Sequence, residues 1–503
     1  MANIVGIDLG TTFSAVAKLD ETGKPDIVVN QEGANITPSV VEFTSEESYI
    51  VGAEAKKMIG ITDNVAFEVK RSMGNHSVEY EFFGKKHTPT TISALILKKL
   101  KEDTEAVIGP IDSAVVTVPA NFSNEAREAT LAAANMAGLN VEHIINEPTA
   151  AAMAYAFQSG QELSGNFAIY DLGGGTFDCT IANVSGQEID ILTSEGVAKL
   201  GGRDFDESIS KIVKAKYKEE TGKDFEEEDF NATNAEDIKK TLASREKANA
   251  RIQGEVISIS REEFESEVSN LIMQAELAVE SALSRVDLKP SDIKEVILVG
   301  GSTRIPAVKA SIEKVFGQPA KIFGNPDESV ALGAAIYAAY KSESTKLNPL
   351  QKQAISKVTI SECTNQYFGT IVVDNNASGK LAKKVSTLIA KDEKIPCSVT
   401  ETFFTMSDNQ TKVQCIVTSS NSEESDPQFV NIQWEGELDI VGGRPAGQPI
   451  KVTYSYTESQ LMRVSFMDGD SGTSVEAEIS LSRSSANAPS SSDTADIDKF
   501  KVE

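Results

Sequence analysis

Two short segments of this chain nearly repeat each other, and the repeat sets the architecture that the rest must accommodate. Asp8-Leu9-Gly10-Thr11-Thr12 returns as Asp171-Leu172-Gly173-Gly174-Gly175-Thr176. Each follows an apolar strand-like run, Ile4 to Ile7 and Phe167 to Tyr170, and each precedes a second β-rich run, Phe13 to Leu19 and Phe177 to Val184. The pattern is strand, tight glycine turn, strand, made twice. Glycines let backbone N–H groups approach an anion closely because no Cβ intervenes. A threonine hydroxyl adds a donor, and the leading aspartate can hold a cation directly or through water. Two such hairpins face to face would grip a metal-bound polyphosphate from both sides.

The duplication extends downstream. Ala114 to Pro119 reads as a strand, Asn124 to Gly138 as an amphipathic helix, and Asn146-Glu147-Pro148 opens an alanine-rich helix through Phe157. Val296 to Gly300 reads as the matching strand, Pro306 to Phe316 as the helix, and Asn325-Pro326-Asp327 opens a second alanine-rich helix through Tyr340. This order predicts two homologous α/β lobes flanking a cleft. Pro148 and Pro326 suit a helix's first turn, and the small side chains of both alanine-rich helices predict close, buried packing.

The chain has 503 residues, too many for one core. Residues 1–340 are expected to form the two-lobed domain, with insertions at about 40–113 and 209–284. The polar stretch within 341–362 reads as a linker, alternating runs separated by turn residues over 363–481 read as a β-sandwich, and 482–503 reads as a disordered tail. A net charge of −27 argues against a nucleic-acid surface. No apolar run reaches the roughly 20 residues of a membrane helix. Cys179, Cys363, Cys397 and Cys415 have no CxxC spacing, and the three histidines are dispersed, so neither a zinc site nor a disulfide framework is expected. Reduced thiols and no signal-peptide pattern point to a cytoplasmic protein.

The residues that carry this pattern resemble the seventy-kilodalton heat-shock chaperones of the DnaK type. The matching stretches are GIDLGTT (6–12), VKRSMG (69–74), VTVPANF (116–122), INEPTAAAMAY (145–155), YDLGGGTFD (170–178), LGGRDFD (200–206), VGGSTRIP (299–306) and NPDESVALGAA (325–335). LIAKDEKIP (388–396) and FFTMSDNQ (403–410) resemble the family's β-sandwich peptide-binding domain. The resemblance implies an actin-like α/β nucleotidase followed by that all-β sandwich, acting as an ATP-dependent chaperone ATPase.

It also implies roles by position. Asp8 and Asp171 would hold Mg²⁺, largely through its water shell, with K⁺ a further candidate. Gly10, Thr11, Thr12, Phe13, Gly173, Gly174, Gly175, Gly201 and Gly202 would cradle the phosphates of ATP or ADP. Lys70 would offset charge at the γ-phosphate and position the attacking water, with Glu147, Thr176 and Asp178 completing that network. Gly300, Gly301, Ser302 and Arg304 would line the adenosine pocket with Asp327 nearby, and Glu246 with Asn249 would stand where the family clamps adenine from a helix. Pro119 and Arg127 match positions that relay nucleotide state. Val373, Phe403, Met406, Val413 and Cys415 would form the pocket for an apolar side chain of an extended, unfolded polypeptide, or simply the sandwich core. The implied partners are such polypeptides, a J-domain co-chaperone and a nucleotide exchange factor, with no nucleic acid, no membrane and a monomeric state. A small-molecule kinase on the same lobes is disfavoured by the β domain.

Departures from the family pattern are also legible. Val197-Ala198-Lys199 replaces the usual Asp-Thr-His before LGG, and Asn249 replaces the clamp lysine. Val358-Thr359-Ile360-Ser361-Glu362 keeps only alternate apolar positions of the family's linker, which predicts weaker interdomain coupling. About 20 residues follow the sandwich in place of a helical lid, which predicts fast peptide exchange. Gln253 to Arg261 leaves little room for the usual hairpin. These departures keep a second reading open, a regulatory co-chaperone of the same fold acting on a dedicated protein partner.

Overall fold

The computed structural model describes residues 2–159, 163–226, 228–322, 324–375, 381–457, 462–479 and 501–502. The chain divides into two compact units. One comprises residues 1–360 with the C-terminal stretch 491–503, and the other comprises residues 361–490.

In the first unit the repeat becomes two sheets of like topology. One orders its strands 141–146, 113–118, 4–8, 13–19, 25–27; the other orders them 321–322, 293–299, 164–172, 177–185, 188–197. In each, the strand before the glycine turn pairs antiparallel with its successor (Asp8 with Ala15, Leu172 with Phe177) and parallel with the strand of the later helix unit. Helices Asn124–Met136 and Pro306–Phe316 are the equivalent first helices, and Glu147–Gln158 and Ser329–Lys341 the equivalent alanine-rich ones. Each lobe has its own apolar core.

The alanine-rich helices join the lobes because nothing larger fits. A Cβ on Gly333 would lie 1.7 Å from the Ala150 carbonyl oxygen, and one on Gly6 would lie 2.1 Å from the Ala335 nitrogen. Both helices are buried along nearly their whole length.

Within the first insertion, the hairpin Tyr80–Phe82 and Lys85–His87 packs its histidine ring 4.4 Å from the Phe43 ring. Burial, with Lys85 nearby, pushes the His87 pKa down to about 4. Since an unfolded histidine titrates near 6.5, the unfolded chain binds the extra proton first, so stability falls as pH drops from about 6.5 towards 4. Melting curves across that window are expected to show His87→Phe losing less stability than the wild type. Equal losses in the two proteins would contradict this assignment.

Two expectations about organisation are corrected. The 341–362 linker is largely ordered into the first unit: Asn348 caps helix Pro349–Ile355 with a capping box, and Gln351 donates to the carbonyls of Leu19 and Asp20. The second unit therefore starts at residue 361. At the other end, most of the 482–503 tail lies outside the described residues, but Lys501–Val502 forms a parallel strand beside Ser48–Tyr49. Finally, Gln253 to Arg261 supplies the turn and second strand of a short hairpin whose first strand lies before it, Lys247–Ile252 against Glu255–Ser260.

The second unit has two four-stranded antiparallel sheets around one apolar core. One orders strands 381–389, 367–375, 412–420, 431–439; the other orders 397–404, 449–456, 462–468, 474–479. Pairing between 367–375 and 412–420 runs from Tyr367–Ser420 to Thr370–Val417 and goes no further among the described residues. Their outer neighbours continue, to Asn375–Leu381 and Lys412–Asp439. Residues 371–375 and 412–416 thus splay apart. Arg444 forks onto the buried Asp468 carboxylate and holds the neighbouring loop, whose Ala446 and Gln448 N–H groups donate to Asp408 Oδ1 and Thr405 Oγ1.

Candidate functional site

The two glycine turns meet. A Cβ on Gly174 would lie 1.8 Å from Thr12 Oγ1, and one on Gly175 would lie 2.7 Å from Thr11 Oγ1. Gly10 has no room either, its Cβ position being 2.0 Å from the Phe13 carbonyl oxygen. Gly174 and Gly175 are therefore dictated by one turn's approach to the other, and Gly10 by the tightness of its own turn. A third loop closes on them: Gly202 N–H donates to the Gly173 carbonyl and Arg203 N–H to the Gly174 carbonyl, each at 2.9 Å.

Beside this junction lies a cleft of about 410 Å³. Asp8, Lys70, Glu147, Asp171 and Thr176 reach it from the strand ends, the 69–72 turn and the helix start at Glu147. Lys70, only 7% exposed, pairs with Glu147 Oε1 and sits 5.9 Å from the Phe122 ring. Thr117 Oγ1 donates to Asp8 Oδ1 at 2.9 Å. Asp178 lies beneath, nearly fully buried.

The electrostatics follow from crowding four carboxyl groups around one ammonium. Burial, then the Glu147 charge, push Asp8 up to about 7, against the pull of Lys70. Burial raises Asp171 well above the usual carboxylate range, with Glu147 and Asp8 adding to it. Asp178 is raised by burial and then by Asp171 and Glu147. Buried anions that no cation offsets are costly, so the cluster is chemically matched to added positive charge. Among the described residues no three metal-ligating side chains close into a direct cage.

One wall of the cleft carries Gly300, Gly301, Ser302, Arg304 and Asp327. Gly300 adopts φ +80 where a Cβ would strike the Leu172 carbonyl, Ser302 Oγ donates to the Gly173 carbonyl at 2.9 Å, and Arg304 pairs with Asp327 at 2.9 Å. The opposite wall is helix Ala232–Ser244, which supplies Glu236, Lys239 and Lys240. Against burial, Lys56 at 2.5 Å and Lys240 at 2.8 Å pull the Glu236 pKa down to about 2. Lys56 comes from the first insertion, so this pair bridges the lobes, as does Asn231 Nδ2 donating to the Ile59 carbonyl at 2.9 Å. Lys239 pairs with Asp206 at 2.8 Å, and burial still lifts Asp206 to about 6.

Most of the expected nucleotide residues converge here, Phe13 and Gly202 included. Gly175, Gly201 and Asp178 stand behind the lining, the two glycines packing the turns together. Glu246 and Asn249 are corrected. Lys247–Ile252 is a strand, not a helix, with Asn249 on its exposed face, and Glu246 is exposed and paired with Arg261. Neither lines the cleft. Glu236, Lys239 and Lys240, missed in the sequence, do; their i, i+3, i+4 spacing behind the Asn231 cap was the available signal. Arg127 is buried and donates to the Ala120 carbonyl and Asn146 Oδ1. Pro119 is also buried, whereas Ala198 and Lys199 are exposed.

Of the expected peptide residues in the second unit, Val373 and Met406 are 43% and 49% exposed, Phe403 and Val413 are half-buried against the core, and Cys415 belongs to the core. Cys415 cannot contact a peptide without opening the sandwich. Val373 and Val413 lie on the splayed strand segments.

Comparison with protein-family models matches this chain to the Hsp70 protein family over residues 4–80 and 64–501. The chain belongs to that family, and its α/β lobes and antiparallel β domain agree with an actin-like ATPase joined to a β-sandwich. Members of the family are ATP-dependent chaperones that bind ATP or ADP with Mg²⁺. Among the described residues no helix is long and apolar enough to cross a membrane.

Proposed function

We propose that this chain binds Mg·ATP in the cleft and hydrolyses it slowly, and that its β-sandwich binds extended apolar polypeptide. The observation that carries the first half is the meeting of both Asp-Leu-Gly turns beside the buried Lys70–Glu147 pair. In this reading Asp8 and Asp171 hold the hydrated cation, which screens the phosphates and their developing charge. Backbone N–H groups of the two turns orient the polyphosphate, with the hydroxyls of Thr11, Thr12 and Thr176 as further donors. Lys70 places its ammonium at the γ-phosphate, and Glu147 holds that ammonium in register and orients the attacking water. Asp178, beneath, holds the Thr176 side of the water network. Gly301, Ser302, Arg304 and Asp327 receive the nucleoside against Glu236, Lys239 and Lys240.

The second half is supported by the splayed strands 371–375 and 412–416, whose open backbone edges suit an extended peptide. Val373 and Met406 are the exposed apolar contacts, with Phe403 and Val413 beside them. Partners in this reading are a J-domain protein and an exchange factor, in the cytoplasm, where a chaperone of this kind would serve the stress response. A second reading, a regulatory co-chaperone with a dedicated partner and weak coupling, is favoured by Val197-Ala198-Lys199, which offers neither a hydroxyl nor a carboxylate near the phosphate turns.

The test is ATP turnover by the intact chain, alone and with an unfolded peptide and a J-domain protein. Stimulation by both, several-fold, is expected of the cycling chaperone. Tight nucleotide binding with no stimulation by either would overturn that reading in favour of the co-chaperone.

A further inference from the structure

We propose that Arg71 is a positioning residue for hydrolysis: its ion pair with Asp204 ties Lys70 to the phosphate turn on the opposite lobe. The inference rests on the reading of the cleft as a nucleotide site and adds to it the device that places the lysine.

Lys70 sits in a four-residue 3₁₀ turn, Val69–Ser72. Such turns are short and make poorer hydrogen bonds than an α-helix. This one opens from Glu68 in the left-handed region, φ 57, a conformation that costs a non-glycine residue free energy. The turn belongs to the first insertion, and its own backbone cannot fix an ammonium against Glu147.

The next residue supplies the fixing. Arg71 Nη2 donates to both carboxylate oxygens of Asp204, at 3.1 and 2.9 Å, and the two side chains are mostly buried, at 15% and 18% exposure. A partly desolvated guanidinium–carboxylate contact is stronger and more directional than a surface pair. Asp204 is itself anchored: its Oδ2 accepts from Gly201 N–H at 2.8 Å and so caps helix Gly202–Thr221. The start of that helix bonds to the carbonyls of Gly173 and Gly174. A continuous path therefore runs from Lys70 through Arg71 and Asp204 to the second glycine turn. Beside it, Arg203 pairs with Glu68 at 3.3 Å and holds the strained entry to the turn.

Two further details place Arg71 against the phosphate turn itself. A Cβ on Gly175 would lie 3.1 Å from Arg71 Cγ, so the glycine leaves room for the arginine stem. Arg71 Nε is shielded from solvent and has no acceptor among the described residues, so the guanidinium's polar contacts there run through Nη2 to Asp204. Through this path the position of Lys70 is set by the second glycine turn and not by its own short turn alone.

The test compares Arg71→Gln, Arg71→Lys, Asp204→Asn and the charge swap Arg71→Asp with Asp204→Arg in the full chain, using Mg·ATP for single-turnover hydrolysis and fluorescent ADP for binding. A misplaced catalytic group can cost on the order of 10²-fold in rate. Arg71→Gln is expected to lose hydrolysis on that scale with ATP affinity changed less than about threefold, Arg71→Lys to recover only part of it, and the swap to recover more than either of its single variants. Asp204→Asn keeps an acceptor for Gly201 but loses the ion pair, so it should match Arg71→Gln in its loss of rate, again with ATP affinity little changed. Wild-type turnover in Arg71→Gln, or parallel losses of affinity and rate with no rescue by the swap, would overturn the inference while the nucleotide site stands. Failure of the wild-type chain to bind Mg·ATP would overturn both.

Discussion

Lys70→Ala is expected to lower single-turnover ATP hydrolysis by on the order of 10²–10³-fold, the usual cost of removing one preorganised charge from a transition state. Equilibrium binding should survive, because the glycine turns and the nucleoside wall hold most of the ligand. Among the described residues Lys70 is the one ammonium paired within the Asp8, Glu147, Asp171 and Asp178 cluster, and it is buried there. Its removal leaves Glu147 without its partner, so a second effect is expected. With no nucleotide bound, the carboxyl cluster should hold more protons at neutral pH than in the wild type, because Lys70 is what pulls Asp8 and Asp171 down. Rapid-quench measurement of bound ATP separates the two outcomes. A loss of affinity as large as the loss of rate would mean that Lys70 serves binding rather than hydrolysis.

Asp171→Asn should weaken Mg²⁺-dependent nucleotide affinity by about 10- to 100-fold, with little change in whatever binding persists in chelator. The substitution keeps size and one acceptor but removes the charge. In the apo chain the same change is expected to be neutral or stabilising, since burial and the neighbouring charges of Glu147 and Asp8 make an anion at 171 unfavourable. A variant that is more stable without ligand and weaker with Mg·ATP is the signature of a carboxylate kept for a cation. The check is a melting curve of each protein with and without Mg·ATP. Destabilisation of the apo variant would show that Asp171 holds the fold instead.

The repeat made much of this site legible. Helix Pro306–Phe316 begins and ends where the sequence places it, at its own proline and before Gly317 in the left-handed region. The repeat singles out both aspartates, whereas Lys70 and Glu147 came only from resemblance to the family's motifs; the fold brings all four to one cleft. Glu246 and Asn249 were placed on an adenine-side helix only by resemblance to the family's clamp, against the local pattern of Lys247-Ala248-Asn249-Ala250-Arg251-Ile252. Its alternation, with 248, 250 and 252 buried, is the period of a strand. The helix that carries Glu236 and Lys239 announces itself instead by the Asn231 cap and the Glu-x-x-Lys spacing one element earlier. In the 341–357 stretch, polarity concealed a capped helix that Asn348-Pro349 and Gln351 spell out. Arg71 carries no signal in the sequence beyond its place in VKRSMG, because its partner lies 133 positions away and only the folded chain brings them together.

The central claim is that the two Asp-Leu-Gly turns hold one shared cation-bound polyphosphate, and a double-mutant cycle on Asp8 and Asp171 tests it most directly. Calorimetric titration of the intact wild type, Asp8→Asn, Asp171→Asn and the double variant with Mg·ATP supplies the four affinities. A single shared site predicts strong non-additivity, the double variant binding little more weakly than the worse single one, because either loss already releases the cation. Losses that add across the two positions, or single variants that bind Mg·ATP as tightly as the wild type, would contradict it.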